Sequence, residues 1–196
     1  MNLSPLLHAL ADLTATEPRH EAQVAAETLR AAADTDFPRQ SPSALSPGIL
    51  STVGLTHAHR AARLIHEAHA GLPWQDSPAA SLQPTSLRAI KSIVTLIGPG
   101  AAIPSESLLF GLFYQAAGSY YPLHAHEAAE TYTILAGTAQ WQAGDGRFPV
   151  SAGKAIHHPP NLPHAMRAGP DGFLAMWRWS GDIAFDSYRM LPDPEG

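Results

Sequence analysis

The chain has 196 residues, 45% hydrophobic and 15% charged, the balance of a globular protein with room for one substantial core rather than of a disordered one. Its formal net charge of −5 and pI near 6.1 lack the basic footprint that a phosphate backbone demands, which argues against nucleic acid as a partner. There is no cysteine, so disulfides, thiolate nucleophiles and sulfur-ligated zinc are excluded, and any metal must be held by nitrogen and oxygen.

The opening MNLSPLLHALADL has no positive start and carries Asp12 within its apolar stripe. It therefore reads as a helix rather than a signal peptide, and a cytoplasmic chain is expected. No apolar run approaches the roughly 18 residues that a membrane span requires, so no membrane partner is expected. In this first helix Ser4 is placed to cap, Pro5 fits the first turn, and Leu3, Leu6, Leu7, Leu10 and Leu13 form one apolar stripe. A second helix is predicted from about Thr16 to Ala33, with Ala25, Leu29 and Ala32 inward. A third is predicted from about Thr56 to just before Gly71, with Ala61, Leu64, Ile65 and Ala68 at helical spacing. Between them FPRQSPSALSPG (37–48) reads as a proline-rich connector.

The texture changes after Trp74. QDSPAASLQPTS is a second turn-rich linker, and short β-type runs follow at 90–97, 108–115, 131–136 and 173–179, punctuated by AAGS, AGDG, SAGK and AGPDG. Many short strands with regular turns predict a small antiparallel barrel or jelly roll. The organisation expected is a helical N-terminal subdomain (1–80) on a mainly β barrel (81–196).

Five of the eleven histidines fall between His124 and His164. His124 and His126 lie two apart, so a strand points both to one side, and Glu130 and Tyr132 likewise share a face. Two imidazoles and a carboxylate facing one cavity suit a borderline divalent metal, and His164, about thirty residues on, can return as a fourth ligand. Strict alternation from His124 points Tyr120 inward and Tyr121 outward, unless Pro122 introduces a bulge. His157 and His158, ahead of a proline turn, are not expected to be ligands; one is expected behind the ligands or exposed. His66 and His69 are expected at the surface of a helix. Phe173, Ala175, Trp177 and Trp179 share one strand face, and Arg178 on the opposite face reads as a solvated or paired charge.

Gly118, His124, His126, Glu130 and Gly137 match every fixed position of G-x5-H-x-H-x3-E-x6-G, the first motif of the cupin superfamily. The second motif fits less well: Gly153 and His164 are present, but Pro149 is displaced and the spacing to the histidine is longer. The resemblance implies a single cupin (double-stranded β-helix) barrel. YYPLHAHEAAETY, HPP-x-x-PHAM and WRWSGDI (177–183) further resemble the DddQ-type bacterial dimethylsulfoniopropionate lyases, over most of 118–190 by motif and over the first third by architecture only. That resemblance implies β-elimination of a small sulfonium carboxylate to dimethyl sulfide and acrylate. It implies one divalent transition metal (zinc, iron(II) or manganese) held by His126, Glu130 and His164, with His124 a further ligand or neighbour. It also implies Tyr132 as catalytic base, with Tyr121 a second catalytic candidate, and Tyr121 and Trp179 as pocket aromatics.

The chemistry suits these residues independently. A divalent cation stabilises the enolate-like charge that develops beside the substrate carboxylate. A tyrosine, with a pKa of about 10, becomes a usable base when a nearby cation lowers it. A sulfonium has no hydrogen-bond donor, so aromatic faces such as Tyr120, Tyr121, Trp177 and Trp179 are its natural holders. The alternative expected is another mononuclear metal cupin, a small-molecule dioxygenase or isomerase, in a monomer or homodimer. Tyr132 against the metal would crowd the two open sites a dioxygenase needs.

Overall fold

The computed structural model describes residues 3–37 and 42–195; the first two residues and positions 38–41 of the expected connector lie outside the described residues. Four α-helices come first: α1 (Ser4–Thr14), α2 (His20–Ala31), α3 (Ser46–Val53) and α4 (Arg60–Ala68). Ser4 is the first helical residue rather than the cap, which is Leu3, and Pro5 occupies the first turn as expected. α2 starts later than its pattern suggests because Pro18 precedes it; the intervening residues close α1 instead, through the Ala15 and Thr16 amides. α3 lies inside the expected connector. Its proline stands in the first turn, where a missing N–H removes no helical bond, and Ile49, Thr52 and Val53 are buried. α4 begins at Arg60, where the His59 ring accepts the Ala61 amide at 3.2 Å.

Nine strands follow: β1 (Lys91–Gly98), β2 (Ile103–Pro104), β3 (Leu108–Gln115), β4 (Tyr120–Ala125), β5 (Ala129–Ala143), β6 (Gly146–Ser151), β7 (Ala155–His158), β8 (His164–Ser180) and β9 (Arg189–Met190). They form one sheet in the order β2-β1-β3-β8-β4-β9, while β5 also pairs with β6, β7 and β8. All pairs but β1–β2 are antiparallel. The result is the expected mainly β, cupin-type barrel behind N-terminal helices. No helix among the described residues is long and apolar enough to cross a membrane.

The sheet formed by β1, β3 and β8 is buried on both faces, which explains why LLFGLFYQ reads as an unbroken apolar run. Phe110, Leu112, Leu174 and Met176 pack outward against Leu6, Leu7 and Leu10 of the helical layer. Leu109, Phe113, Phe173 and Trp177 point into the barrel. Each fully buried leucine of this layer is worth about 1.5–3 kcal/mol of transfer free energy. The motif glycines serve the turns: Gly118, Gly137 and Gly153 all have positive φ (67°, 77° and 87°). At Gly137 an added Cβ would also meet the Gly172 carbonyl oxygen at 2.0 Å, so only glycine lets β5 turn there against β8.

Candidate metal centre and active site

Strand register assembles the site. β4 and β8 place His124 opposite His164. β5 places Glu130 between two cross-strand partners, His158 on β7 and Trp179 on β8. Tyr132 lies opposite Trp177. Because side chains alternate, Glu130 and Tyr132 face the interior while Thr131 faces the helices.

Between Tyr121 and His124 the β4–β8 register slips: three residues on β4 are matched by two on β8. The bulge at Pro122 reverses the alternation predicted for the two tyrosines. Tyr121 is buried and stacks on the His124 ring, with centroids 4.2 Å apart. Tyr120 instead points away, its hydroxyl on Asp193 at 2.7 Å and its ring under the Arg167 guanidinium. The structure thus brings Tyr121 to the site and leaves Tyr120, expected as a substrate contact, outside it.

Among the described residues one group has metal-ligand geometry: His126, Glu130 and His164, with donor atoms all within 4.8 Å of one another. The Nδ1 atoms of His126 and His164 sit 3.0 Å from the Ala128 carbonyl and 2.8 Å from the Leu162 carbonyl. A carbonyl can only accept, so in a neutral ring Nδ1 carries the proton and Nε2 is left with its lone pair. Both Nε2 atoms are buried without a hydrogen-bond partner, and they stand 3.3 and 3.1 Å from Glu130 Oε2. Three lone-pair atoms converging with no proton between them repel one another. A cation relieves that repulsion, so the residues present fit a divalent metal. His124, expected as a further ligand or neighbour, lies outside this group and beside it. Its ring is 4.1 Å from that of His164, and Nδ1 bonds the Pro122 carbonyl at 2.8 Å.

Behind the triad the carboxylate is held on every side. Trp179 Nε1 donates to Glu130 Oε1 at 2.6 Å, and its ring lies 4.1 Å from that of His126. His158 is the partner that sequence reasoning left undecided. Trp141 Nε1 donates to its Nε2 at 2.9 Å, so its Nδ1 must be the protonated nitrogen that donates to Glu130 Oε2 at 3.2 Å. Its placement was legible only as parity, since register with Glu130 turns it inward and His157 outward to Thr131. Tyr188, Gln83 and Lys91 had no signal, because they reach the site from segments without a motif.

Electrostatics favours ligand-ready forms. Burial alone would raise Glu130, but its imidazole neighbours His126, His158 and His164 hold its carboxyl well below the usual range. Burial and the nearby His164 pull His124 well below 6.5 and His158 down to about 4, so both rings are neutral. Burial, together with the Glu130 charge, pushes the Tyr132 phenol well above 10. The chain alone therefore holds Tyr132 protonated, opposite to what a base needs. Aromatic groups close the space: Phe113 meets Tyr132 edge-on at 5.4 Å, and Tyr188 lies 5.5 Å from His124. The enclosed cavity is about 20 Å³, and Pro78 and Phe185 line both it and an outer groove of about 790 Å³. A volume of that size holds about one water.

His66 and His69 join no metal-type group. Arg178 is buried rather than solvated: Glu17, in the corner between α1 and α2, grips it at 2.7 and 3.0 Å.

An antiparallel barrel with two inward imidazoles and a carboxylate defines a cupin whose His/Glu/His group could hold a metal ion. The chain belongs to the dimethylsulfoniopropionate lyase family, whose profile matches residues 43–175. It is 41% identical over 103 residues to the dimethylsulfoniopropionate lyase DddQ of Ruegeria pomeroyi, a match covering 52% of this chain and 50% of that protein. The aligned stretch thus spans half the length of this curated relative. The crystal structure of DddQ from R. pomeroyi superposes with a TM-score of 0.67 at 27% identity, covering 93% of this chain and 92% of that one. A crystal structure from work on the DMSP lyases RdDddP and RnDddQII superposes with a TM-score of 0.73 at 24% identity, covering 97% and 98%; at that identity it bears on the fold alone.

Proposed function

We propose that the protein is a metal-dependent carbon–sulfur lyase that cleaves dimethylsulfoniopropionate to dimethyl sulfide and acrylate by β-elimination. The observation that carries this reading is the convergence of two partnerless Nε2 atoms on the Glu130 carboxylate, with Tyr132 lining the same cavity as that carboxylate. His126, Glu130 and His164 would hold one divalent transition ion, with zinc, iron(II) and manganese all compatible with two nitrogens and one oxygen. When bound, such an ion supplies positive charge that polarises the substrate carboxylate and opposes the upward shift of the Tyr132 phenol.

The chain's own residues do the rest. Tyr132, as phenolate, takes the proton from the carbon beside the carboxylate. The electrons of that C–H bond form the new double bond, the Cβ–S bond breaks, and neutral dimethyl sulfide leaves with the former bonding pair. Tyr121 and Trp179 offer aromatic faces to the sulfonium, whose charge has no hydrogen-bond donor to satisfy. Trp179 has a second duty, since its indole N–H fixes Glu130. The apolar walls exclude water, which strengthens each charge interaction inside.

Metal-loaded protein incubated with dimethylsulfoniopropionate should release dimethyl sulfide into the headspace, stoichiometric with acrylate. Tyr132→Phe should keep the fold and most of the metal while kcat falls by about 10²–10⁴. No sulfide above that produced by the free metal would overturn the reading. Near wild-type turnover in Tyr132→Phe would remove Tyr132 as the base.

A further inference from the structure

A buried chain of hydrogen bonds leads into the site from a segment that carries no motif. Lys91, on β1, is 3% exposed. Its Nζ donates to Gln83 Oε1 at 2.7 Å, and Gln83 Nε2 donates to the Tyr121 hydroxyl at 2.7 Å. The Tyr121 and Tyr188 hydroxyls are 2.7 Å apart, and Tyr188 donates onward to Met190 Sδ at 3.3 Å. The Lys91 ammonium also stands 4.6 Å over the Tyr121 ring. Both phenols wall the site cavity.

The direction of this chain is set at its outer end. Lys91 donates to the Gln83 oxygen, which leaves the Gln83 N–H to donate to Tyr121. With its oxygen occupied as an acceptor, Tyr121 has its proton free for Tyr188. The last proton, that of Tyr188, meets only a thioether sulfur, a weak acceptor. The chain thus ends in an O–H donor with a poor partner, on the wall of a cavity whose other neutral hydroxyls are those of Ser77, Tyr121 and Tyr132. A carboxylate is the ligand that such a donor prefers.

We propose that Lys91 and Gln83 are positioning residues that set the proton order of the Tyr121–Tyr188 pair, so that Tyr188 presents its O–H to the carboxylate of the substrate. This rests on the lyase reading for the identity of the substrate, but the chain itself is independent of it. Donors in series polarise one another, which strengthens the terminal donor. Lys91 and Gln83 act through the tyrosines and touch no substrate.

The test is a mutant cycle in the metal-loaded protein. Tyr188→Phe should raise KM for dimethylsulfoniopropionate about tenfold with kcat within about twofold. Gln83→Met should raise KM in the same sense by about three- to tenfold, and Lys91→Met somewhat less. In the Tyr188→Phe background, Gln83→Met should change KM by less than about twofold, because the interaction it sets up is already gone. Gln83→Glu guards against a folding artefact: it keeps size and the acceptor for Lys91, but it makes Tyr121 donate outward. It should raise KM at least as much as Gln83→Met at an unchanged melting temperature. Multiplicative KM effects in the double variant, or a fall in kcat with KM unchanged, would overturn the proposal. If the wild-type protein releases no dimethyl sulfide, the lyase reading fails, and labelled tyrosine decides the chain. With ¹³C at the hydroxyl-bearing ring carbon, Gln83→Met should shift the Tyr121 and Tyr188 resonances and leave Tyr114 in place. Unmoved signals would overturn it.

Discussion

Two buried polar clusters sit back to back on the same pair of strands. Thr131 and Arg178 face the helices, while their neighbours Glu130 and Trp179 face the barrel. On the outer side the charges close on themselves. Arg178 is held by both oxygens of Glu17 and by Thr131 at 3.1 Å, and Glu17 also takes Arg19. Only the Arg178 Nε lacks a partner. On the inner side lone pairs outnumber protons: two Nε2 atoms and a carboxylate oxygen meet with nothing between them. Both clusters are buried and both join the same strands, so burial and charge do not distinguish them. What does is the balance of donors and acceptors. A balanced cluster fastens the fold, and one short of a cation is built to receive it.

That contrast predicts opposite phenotypes on the two faces of the same strands. Alanine at His126, Glu130 or His164 should strip most of the metal from protein purified without chelator and lower lyase turnover by about a thousandfold or more. Metal analysis of the three variants measures the first effect. Full occupancy in all three would take these residues out of the site and dissolve the contrast.

Arg178→Met should do the reverse. Removing Arg178 leaves Glu17 with only the more exposed Arg19 as counter-charge, a loss of about 2–4 kcal/mol for a largely buried pair. Urea unfolding should show it, with metal content and kcat within about twofold of wild type. A variant of normal stability with impaired turnover would mean that the outer cluster serves the chemistry after all.

The inner cluster was easier to read in the sequence than the outer. Strand parity aims Glu130 and Tyr132 together on β5, and the three residues between His126 and Glu130 allow a turn that brings the imidazole to the same centre. His164 came from a motif. The barrel itself was legible from short apolar runs and glycine turns, and the helices from their leucine and alanine spacing. What failed had a physical reason in each case. Parity misplaced Tyr120 and Tyr121 because one extra residue at Pro122 inverts the face of everything before it. α3 was missed because eight residues with proline and glycine carry too little periodicity to register. The Glu17–Arg178 pair spans 161 positions, and the Lys91–Gln83–Tyr121–Tyr188 chain joins four segments. No local pattern encodes pairings of that kind; they follow from how the layers pack.

Lys91 falls between the two clusters and offers the finest test of the distinction. It is a buried ammonium with a neutral acceptor and an aromatic face as its partners, not a carboxylate in contact as Arg178 has. Burial pulls its pKa down to about 7, and the more distant Asp76 and Glu130 charges oppose this only in part. The unfolded chain holds the same proton up to about 10.5. Between those values the unfolded state binds more protons than the folded one, so stability rises with pH across the window. Below about pH 7 both states are protonated, and the cost of burying the charge is present in full. Lys91→Met never carries that cost. Its stability relative to wild type should therefore be greatest near pH 6 and fall steadily toward pH 10, over a span on the order of a few kcal/mol. The buried tyrosines, whose raised pKa values lower stability only above about pH 10, are common to both proteins and cancel in the difference. Urea midpoints for the pair across this range measure it. A difference that stays constant with pH would show that Lys91 keeps its proton in the fold, and that its partners compensate the charge as fully as Glu17 compensates Arg178.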